Sequence, residues 1–430
     1  MPQMMPIKRK PTPFRGFCFI RVLREIRGQT SSLSPLRLGW RFTVQLAIRD
    51  ETSERGGVSP PVLGRQPALE EPGSLRHPAR KPLTLCSVRY TFPLAALLSL
   101  LAMTASPLHA EDRVVIQQPG MSRLPLNGLV EDYTGRELTI HVRTGNSLRR
   151  YARSEVVEVQ TSYTAHHEKG RELFASGRAD EAAVELSAAL KDEDRAWVRR
   201  EILALLVKCA LWSGDYRTAV SRFLPIADSD PETFHFSVAP LAWTAETPSN
   251  DIRLEAQSWL AGRSPVSKLF GASHLLFDPA SSDTAGAAVR SLARESDVRV
   301  QRLAQMQLWR QRMQAGTATP GELTRWESAI EQLPDELRSG GYFVLGQTYL
   351  KQRQPERAAA ALLRLPLVYD ADRHLAARAC FQSAEQLESL GDRSQATNLF
   401  SEVVFRFGDT PWGPQAEAKW KKLRGERGTP

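Results

Sequence analysis

A helical pattern that recurs at a nearly constant offset constrains this chain more than any other feature of its sequence. Ala182 and Ala219 lie 37 residues apart, and Ala358 and Ala396 lie 38 residues apart. In the first pair of units, the pattern Gly170, Gly177, Ala182, Leu186 and Ala189 recurs as Gly214, Ala219, Phe223 and Ile226. In the second pair, the pattern Gly346, Tyr349, Ala358, Leu362 and Leu365 recurs as Gly391, Ala396, Phe400 and Val403. Self-similarity at a fixed period of about 20–50 residues is typical of stacked repeats. Each unit therefore predicts an apolar helix, a short turn and a second apolar helix.

Glycine and aspartate residues mark the predicted ends of these helices. We expect Gly177, Gly214 and Gly391 to follow the first helices of their hairpins, because a left-handed residue is needed there. Asp215 and Asp392 come directly after two of these glycines and are predicted N-caps of the next helix.

The best unit, Leu345-Gly346…Tyr349…Ala358…Leu362, resembles a tetratricopeptide repeat, with Tyr342 in the slot where that family prefers Trp. Two other units depart from the family pattern, since Val207 and Ala384 stand where it has Gly. The resemblance covers about 161–231 and 338–424. It implies a mainly α-helical protein, a solenoid of helical hairpins that binds other proteins.

The predicted repeats occupy 163–248 and 335–424, with Pro411 to Leu423 as a solvent-facing cap and 425–430 as a tail. Residues 249–334 keep a helical pattern without the hairpin signature, and Ala287 to Ala304 resembles a HEAT-type unit; a degenerate tetratricopeptide pair is the alternative. Pro231 to Pro248 has the loosest pattern and is the predicted place for a hinge.

Residues 111–162 differ from the rest of the chain. Gly128 to Gly135, Glu137 to Arg143, Arg149 to Tyr151 and Val156 to Val159 read as short strands separated by turn residues. Four short strands in so few residues predict a small SH3-like or Sm-like unit. Such a unit buries little core alone, so we expect it to dock on the first helices.

The basic character of the chain resides in its first part. Residues 1–110 carry a net charge of +10, whereas 111–430 carry −1, although the whole chain has +9. Pro93 to Ala105 is an uncharged stretch too short to span a bilayer, it follows Lys81 and Arg89, and Ala110 offers a cleavage site. We therefore expect a signal peptide at 81–110 and a periplasmic or secreted protein, which would be membrane-anchored if uncleaved.

About 80 residues precede this signal, an unusual arrangement. Residues 1–80 are rich in Arg, Pro, Ser and Gly and lack sustained apolar periodicity. Two interpretations are open: a mis-assigned start, with translation beginning near Leu83 to Val88, or a disordered extension. No other stretch predicts a transmembrane helix in the mature chain.

The mature chain shows no recognisable catalytic motif. His166-His167-Glu168 is the sharpest cluster, but adjacent helical residues point about 100° apart and cannot ligate one metal as an i, i+4 pair does. We expect both histidines to be exposed and Asp192-Glu193-Asp194 to form a solvated turn. Cys209 and Cys380 lie on apolar helical stretches of different repeats and are predicted to be buried and unbridged. The sequence singles out no catalytic, cofactor-binding or metal-binding residue.

These features favour a non-enzymatic scaffold of the bacterial cell envelope that binds a protein partner without a cofactor. Phe405 to Pro411 and Ala416 to Trp420 are similar to repeats of periplasmic cell-division and outer-membrane assembly proteins. One alternative is that the small β unit binds a peptide or a nucleic acid, although the nearly neutral net charge of residues 111–430 argues against nucleic acid. Another alternative is an envelope hydrolase. The arginines that the nucleic-acid alternative invokes are Arg143, Arg149, Arg150 and Arg153. Partner-binding residues stay unknown, because packing faces and a binding face look alike in sequence.

Overall fold

A computed structural model describes residues 111–145 and 147–425. The signal peptide predicted at 81–110, the extension at 1–80 and the tail from 426 onward lie outside the described residues. The described residues are mainly helical, with one small antiparallel sheet at their start. No helix among them is both long and apolar enough to cross a bilayer.

The sheet has five strands, one more than the sequence pattern predicts. The strands are β1 (Asp112–Ile116), β2 (Leu124–Tyr133), β3 (Glu137–Val142), β4 (Ser147–Ala152) and β5 (Val156–Gln160). They are ordered β4-β3-β2-β1-β5, every neighbouring pair is antiparallel, and a 3-10 turn (Arg153–Glu155) precedes β5. The additional strand is β1, whose Val114 and Ile116 alternate into the core.

Fourteen α-helices follow among the described residues. They are α1 (Ala165–Ala175), α2 (Ala179–Asp192), α3 (Ala196–Trp212), α4 (Tyr216–Ser229), α5 (Asn250–Ala261), α6 (Pro265–Leu275), α7 (Ser282–Leu292), α8 (Val298–Ala315), α9 (Pro320–Glu331), α10 (Arg338–Lys351), α11 (Pro355–Val368), α12 (Arg373–Ser389), α13 (Arg393–Phe407) and α14 (Trp412–Arg424). Short 3-10 turns lie at Phe234–Val238 and Asp335–Leu337.

The predicted helix ends are confirmed. Gly177, Gly214 and Gly391 all have positive φ, between 75° and 84°. Asp215 caps α4 by accepting a hydrogen bond from the backbone N–H of Thr218, and Asp392 caps α13 in the same way. These turns depend on residues adjacent in sequence, which is why the pattern alone locates them.

The hairpins α1–α2 and α10–α11 have the same close contact between their two helices. A Cβ atom on Gly170 of α1 would lie 2.6 Å from Cγ of Leu186 on α2. The same distance separates a Cβ on Gly346 of α10 from Cγ of Leu362 on α11. Glycine at both places lets the leucine of the second helix reach the backbone of the first. The sequence repeat therefore corresponds to a repeated packing contact.

We expect Gly346→Ala to lower the free energy of unfolding by about 1–2 kcal/mol, because the added methyl overpacks the contact with Leu362. Equilibrium urea unfolding would measure the change. Gly321→Ala in α9 is the matched control: nothing lies within 4 Å of its Cβ position, so the helix should gain up to about 1 kcal/mol. Equal effects of the two substitutions would contradict the packing argument.

The sheet docks on the first helices, as predicted. Strand residues such as Val114 and Ile140 share one hydrophobic cluster with Leu186 of α2 and Trp197 of α3. The turn between β2 and β3 also reaches beyond these helices, since the N–H of Gly135 donates to Oδ2 of Asp230 after α4. The small β unit and the helices are therefore one packed body over this part of the chain.

The prediction of a hinge in Pro231 to Pro248 is contradicted. Thr233, Phe236, Val238 and Leu241 are all buried, and Phe236 packs against Phe223 of α4 and shares the central hydrophobic cluster with α6, α8 and α10. Loops that cross a core need partners for their backbone polar groups. Arg310 of α8, fully buried, supplies them by donating to the carbonyl oxygens of Ala242 and Thr244.

Candidate functional site

The two adjacent histidines occupy very different surroundings. His166 is half exposed and its Nδ1 lies 2.7 Å from Oε2 of Glu185. His167 is completely buried, its ring meets the ring of Tyr163 edge-on at 4.3 Å, and neither ring nitrogen has a hydrogen-bond partner among the described residues. Burial lowers the pKa of His167 to about 4. The prediction that both are exposed is therefore wrong for His167.

The acidic residues at 192–194 help to connect the sheet to the helices. The prediction of a solvated turn is wrong for Glu193. Glu193 is buried, and its two carboxylate oxygens accept hydrogen bonds from the Arg195 guanidinium at 2.7 and 2.8 Å. Arg195 also donates to the hydroxyl of Thr161, which in turn donates to the buried Asp112 of β1. The network fastens the sheet to the start of α3, with every donor directed at an acceptor.

Of the four arginines that the nucleic-acid alternative invokes, three have neighbours in the fold, and the fourth, Arg149, is exposed. Arg143 pairs with Glu111 at 2.8 Å, and Arg150 lies 3.8 Å from Glu137. Arg153 packs over the rings of Tyr133 and Phe234, at 5.3 and 5.1 Å from their centres. Two charges thus have acidic neighbours and one serves packing, which removes much of the footprint expected of a nucleic-acid binder.

The tryptophans mostly serve packing. Of the eight among the described residues, three, at 212, 412 and 420, are half-buried, and five are buried: Trp197, Trp243, Trp259, Trp309 and Trp326. Trp309 of α8 and Trp326 of α9 stack with ring centres 5.1 Å apart. The half-buried three all lie at ends of helices or on the last helix, so they are the described tryptophans that a partner could touch.

The two cysteines among the described residues, Cys209 and Cys380, are buried free thiols. Burial raises the pKa of Cys209 to about 12 and also raises that of Cys380. A thiol is a nucleophile and a metal ligand only as the thiolate. Neither cysteine is therefore suited to covalent chemistry at neutral pH. Among the described residues, no group of three or more His, Cys, Asp and Glu side chains is placed to hold a metal ion.

Trp212 joins the first hairpins to the last ones. Its indole Nε1 donates to Oδ2 of Asp409 at 2.6 Å, and the Arg373 guanidinium lies 3.9 Å from its ring centre. Nε2 of His374 lies 2.8 Å from the Trp212 carbonyl oxygen. Burial by itself would raise the pKa of Asp409, but hydrogen bonds from Arg373 and Trp212 hold it below its ordinary value. These side chains are engaged with each other, so the binding surface has to be sought elsewhere.

The most exposed large apolar side chain among the described residues is Phe405, on α13, with 76% of its surface accessible. Its ring meets the ring of Trp420 on α14 edge-on at 5.6 Å, and the guanidinium of Arg424 lies 4.8 Å from the Trp420 ring centre. We call Phe405, Trp420 and Arg424 the end face. Helix α14 buries only Gly413 and Ala416, so it covers α13 on one side and leaves the end face open.

The chemistry of the end face suits protein recognition. Aromatic and arginine side chains are over-represented among the residues that carry binding energy in protein interfaces. Phe405 and Trp420 already contact each other, so little side-chain freedom would be lost on binding. The sequence pattern around Phe405 and Trp420 pointed to this region, but it did not show which of its aromatic residues are exposed.

Comparisons of this chain with protein-family models, with curated proteins and with solved structures give no match. Any reading of its function therefore depends on its own residues. Three contacts escape sequence analysis altogether: the Arg195 joint, the carbonyl oxygens bound by Arg310, and the Trp212 seam. Their members are up to 197 residues apart and share no motif, so only the fold brings them together.

Proposed function

We propose that the protein is a non-enzymatic scaffold of the cell envelope that binds a partner protein through the end face of a tetratricopeptide-like solenoid. The observation that carries the proposal is the exposed Phe405 in contact with the half-buried Trp420, at the end of a run of consecutively packed helices. The glycine–leucine contacts repeated in α1–α2 and α10–α11 support the solenoid reading. The resemblance of this segment to repeats of envelope assembly proteins supports the compartment, which the signal sequence predicted at 81–110 would supply.

The β unit at the start of the described residues fits an SH3-like or Sm-like arrangement in our proposal. Its strand order and the 3-10 turn before β5 are the features that support this assignment. Binding of nucleic acid by this unit has less support, because Arg143 and Arg150 have acidic neighbours and Arg153 is packed against rings. An envelope hydrolase would need paired reactive groups, and His167 is buried without a partner for either ring nitrogen among the described residues.

The double substitution Phe405→Glu with Trp420→Ala tests the proposal. Chemical cross-linking in intact cells, followed by affinity capture from the envelope fraction and quantitative mass spectrometry, should recover a partner with wild-type protein. The double variant should recover that partner at least about tenfold less, the loss expected from removing interface anchors.

Val184→Glu is the matched control, because Val184 on α2 is 70% exposed and lies in the first hairpin. Far-UV circular dichroism should show the same helix content for all three proteins. Equal capture by the wild type and the double variant would overturn the binding surface. Recovery of the protein itself from the cytosol alone would overturn the envelope assignment.

A further inference from the structure

Strand β4 is an edge of the sheet, and among the described residues only β3 pairs with it. The Arg153 N–H donates to the Arg136 carbonyl oxygen, so residues 153 and 136 are a hydrogen-bonded pair of this antiparallel ladder. Because hydrogen-bonded and non-hydrogen-bonded pairs alternate, Leu148, opposite His141, and Arg150, opposite Thr139, direct their backbone N–H and C=O groups away from β3. The edge thus offers two pairs of backbone donors and acceptors in line.

The side chains along this edge are apolar and basic. Leu148 is 47% exposed, and Leu129 on β2 is similarly exposed; both are paired in register with His141 on β3. Nε2 of His141 lies 2.6 Å from Oε1 of Glu131. An apolar side chain of an added strand could therefore cover Leu148, on a face where two leucines already flank one histidine.

The charged residues along this edge are all basic. Residues 143–153 contain four arginines and no acidic residue. Arg149 and Arg150 are both exposed, and the 3.8 Å separation of Arg150 from Glu137 is long for an ion pair whose side chains are 68% and 40% exposed. Leu148 and Arg150 lie on one face of β4 and Arg149 on the other, so a strand whose apolar side chains cover Leu148 places its alternate, acidic side chains on the face of Arg149.

We propose that β4 is the docking edge for an extended segment of another protein, one that alternates acidic and apolar side chains and adds to the sheet as a sixth strand. Backbone hydrogen bonds would hold such a segment, and its alternate side chains would provide specificity. Charges on edge strands also serve to prevent edge-to-edge aggregation. An edge whose charges served only to prevent aggregation would not need an exposed apolar side chain, and this edge has one in Leu148. The inference goes beyond the proposed scaffold function, because it uses a different surface.

The experiment uses the whole mature chain and a fluorescein-labelled peptide of about eight residues with alternating Glu and Val, long enough to span a typical strand. Fluorescence anisotropy should show binding of this peptide and not of its Lys–Val counterpart. The double charge reversal Arg149→Glu with Arg150→Glu should weaken the Glu–Val peptide by about tenfold and favour the Lys–Val peptide instead. Arg113→Glu, on the inner strand β1, is the matched control and should leave both affinities unchanged.

Two further measurements separate strand addition from loose electrostatic binding. Bound Glu–Val peptide should slow hydrogen exchange of the Leu148 and Arg150 amides. Leu148→Pro should abolish binding while preserving the β3–β4 ladder, because the Leu148 N–H is not used in that ladder. The end-face double variant should bind the peptide as the wild type does, so a failure of the scaffold proposal and a failure of this one are distinguishable.

Several outcomes would overturn the inference. One is equal binding of the two peptides, and another is an equal response to the Arg113 and Arg149/Arg150 reversals. A third is unchanged exchange of the two amides. If no peptide binds and the double reversal only makes the protein self-associate, the arginines serve to prevent edge-to-edge association and β4 is not a docking edge. If single-stranded poly(U) binds more tightly than the Glu–Val peptide and is lost with the same reversal, the edge belongs to nucleic acid instead.

Discussion

Arg310→Met should lower the free energy of unfolding by about 3 kcal/mol, because a buried carbonyl oxygen left without its donor costs about 1–3 kcal/mol. Arg310 is fully buried on α8. Its guanidinium donates to the carbonyl oxygens of Ala242 and Ser273, both at 2.8 Å, and to that of Thr244 at 2.9 Å. Methionine fills similar space but donates nothing, so all three carbonyl oxygens would lose this donor, and only that of Ala242 would keep another, Nε2 of Gln307.

Equilibrium urea unfolding, followed by tryptophan fluorescence, measures this loss. Arg312→Met is the matched control on the same helix, because the Arg312 side chain is 47% exposed and pairs with Glu322 at 2.7 Å. An exposed pair of this kind is worth at most about 1 kcal/mol. If the two substitutions cost the same, Arg310 does not hold the 242–244 backbone in place, and the burial of the 231–249 segment must have another cause.

The folded protein should lose stability as the pH falls from 6.5 towards 4, and His167→Phe should remove part of that loss. Burial lowers the pKa of His167 from 6.5 to about 4. Its neutral form therefore contributes stability that is fully present above pH 6.5 and is lost as the pH falls through the interval down to about 4. At pH 5 this one group accounts for about 2 kcal/mol.

Phenylalanine suits this position because neither ring nitrogen of His167 has a partner among the described residues, while its ring contacts Tyr163 edge-on. Urea unfolding at pH 7 and at pH 5 should give a smaller difference for His167→Phe than for the wild type. Some pH dependence will persist, since burial also lowers the pKa of His274 to about 4 and of His235 to about 3. If His167→Phe keeps the full wild-type difference between pH 7 and pH 5, the assignment of this loss to His167 is wrong.

Local features of this chain could be read directly from the sequence. Gly177, Gly214 and Gly391 require a conformation that other residues avoid, and each stands just before the next helix, so the hairpin turns follow from neighbouring residues alone. The alternation of apolar and polar residues in β3 likewise places Leu138 and Ile140 in the core. β1 escaped prediction because its five residues carry too short a pattern, and the Pro119-Gly120 turn signal that follows it was not used.

The candidate site was located only roughly by sequence. The segment from Phe405 to Trp420 drew attention through its resemblance to envelope-protein repeats, and it does carry the end face. Which aromatic residues point outward depends on how α14 lies on α13, and that is decided by the contacts of Gly413 and Ala416. The edge of β4 could not be found at all, because the order of strands in a sheet is set by pairing between distant segments.

Sequence alone determined the helical hairpins, their turns and caps, and the presence of a small β unit, because each depends on propensities and periodicities within a few residues. Tertiary structure alone decided that Phe236, Val238 and Leu241 of the segment after α4 are buried, that His167 and Glu193 lie inside, and that Trp212 joins the first hairpins to the last. The physical reason is how far apart along the sequence the interacting residues lie. A turn is specified by its own backbone, whereas the burial of a polar side chain depends on whichever distant segments the fold brings within hydrogen-bonding distance.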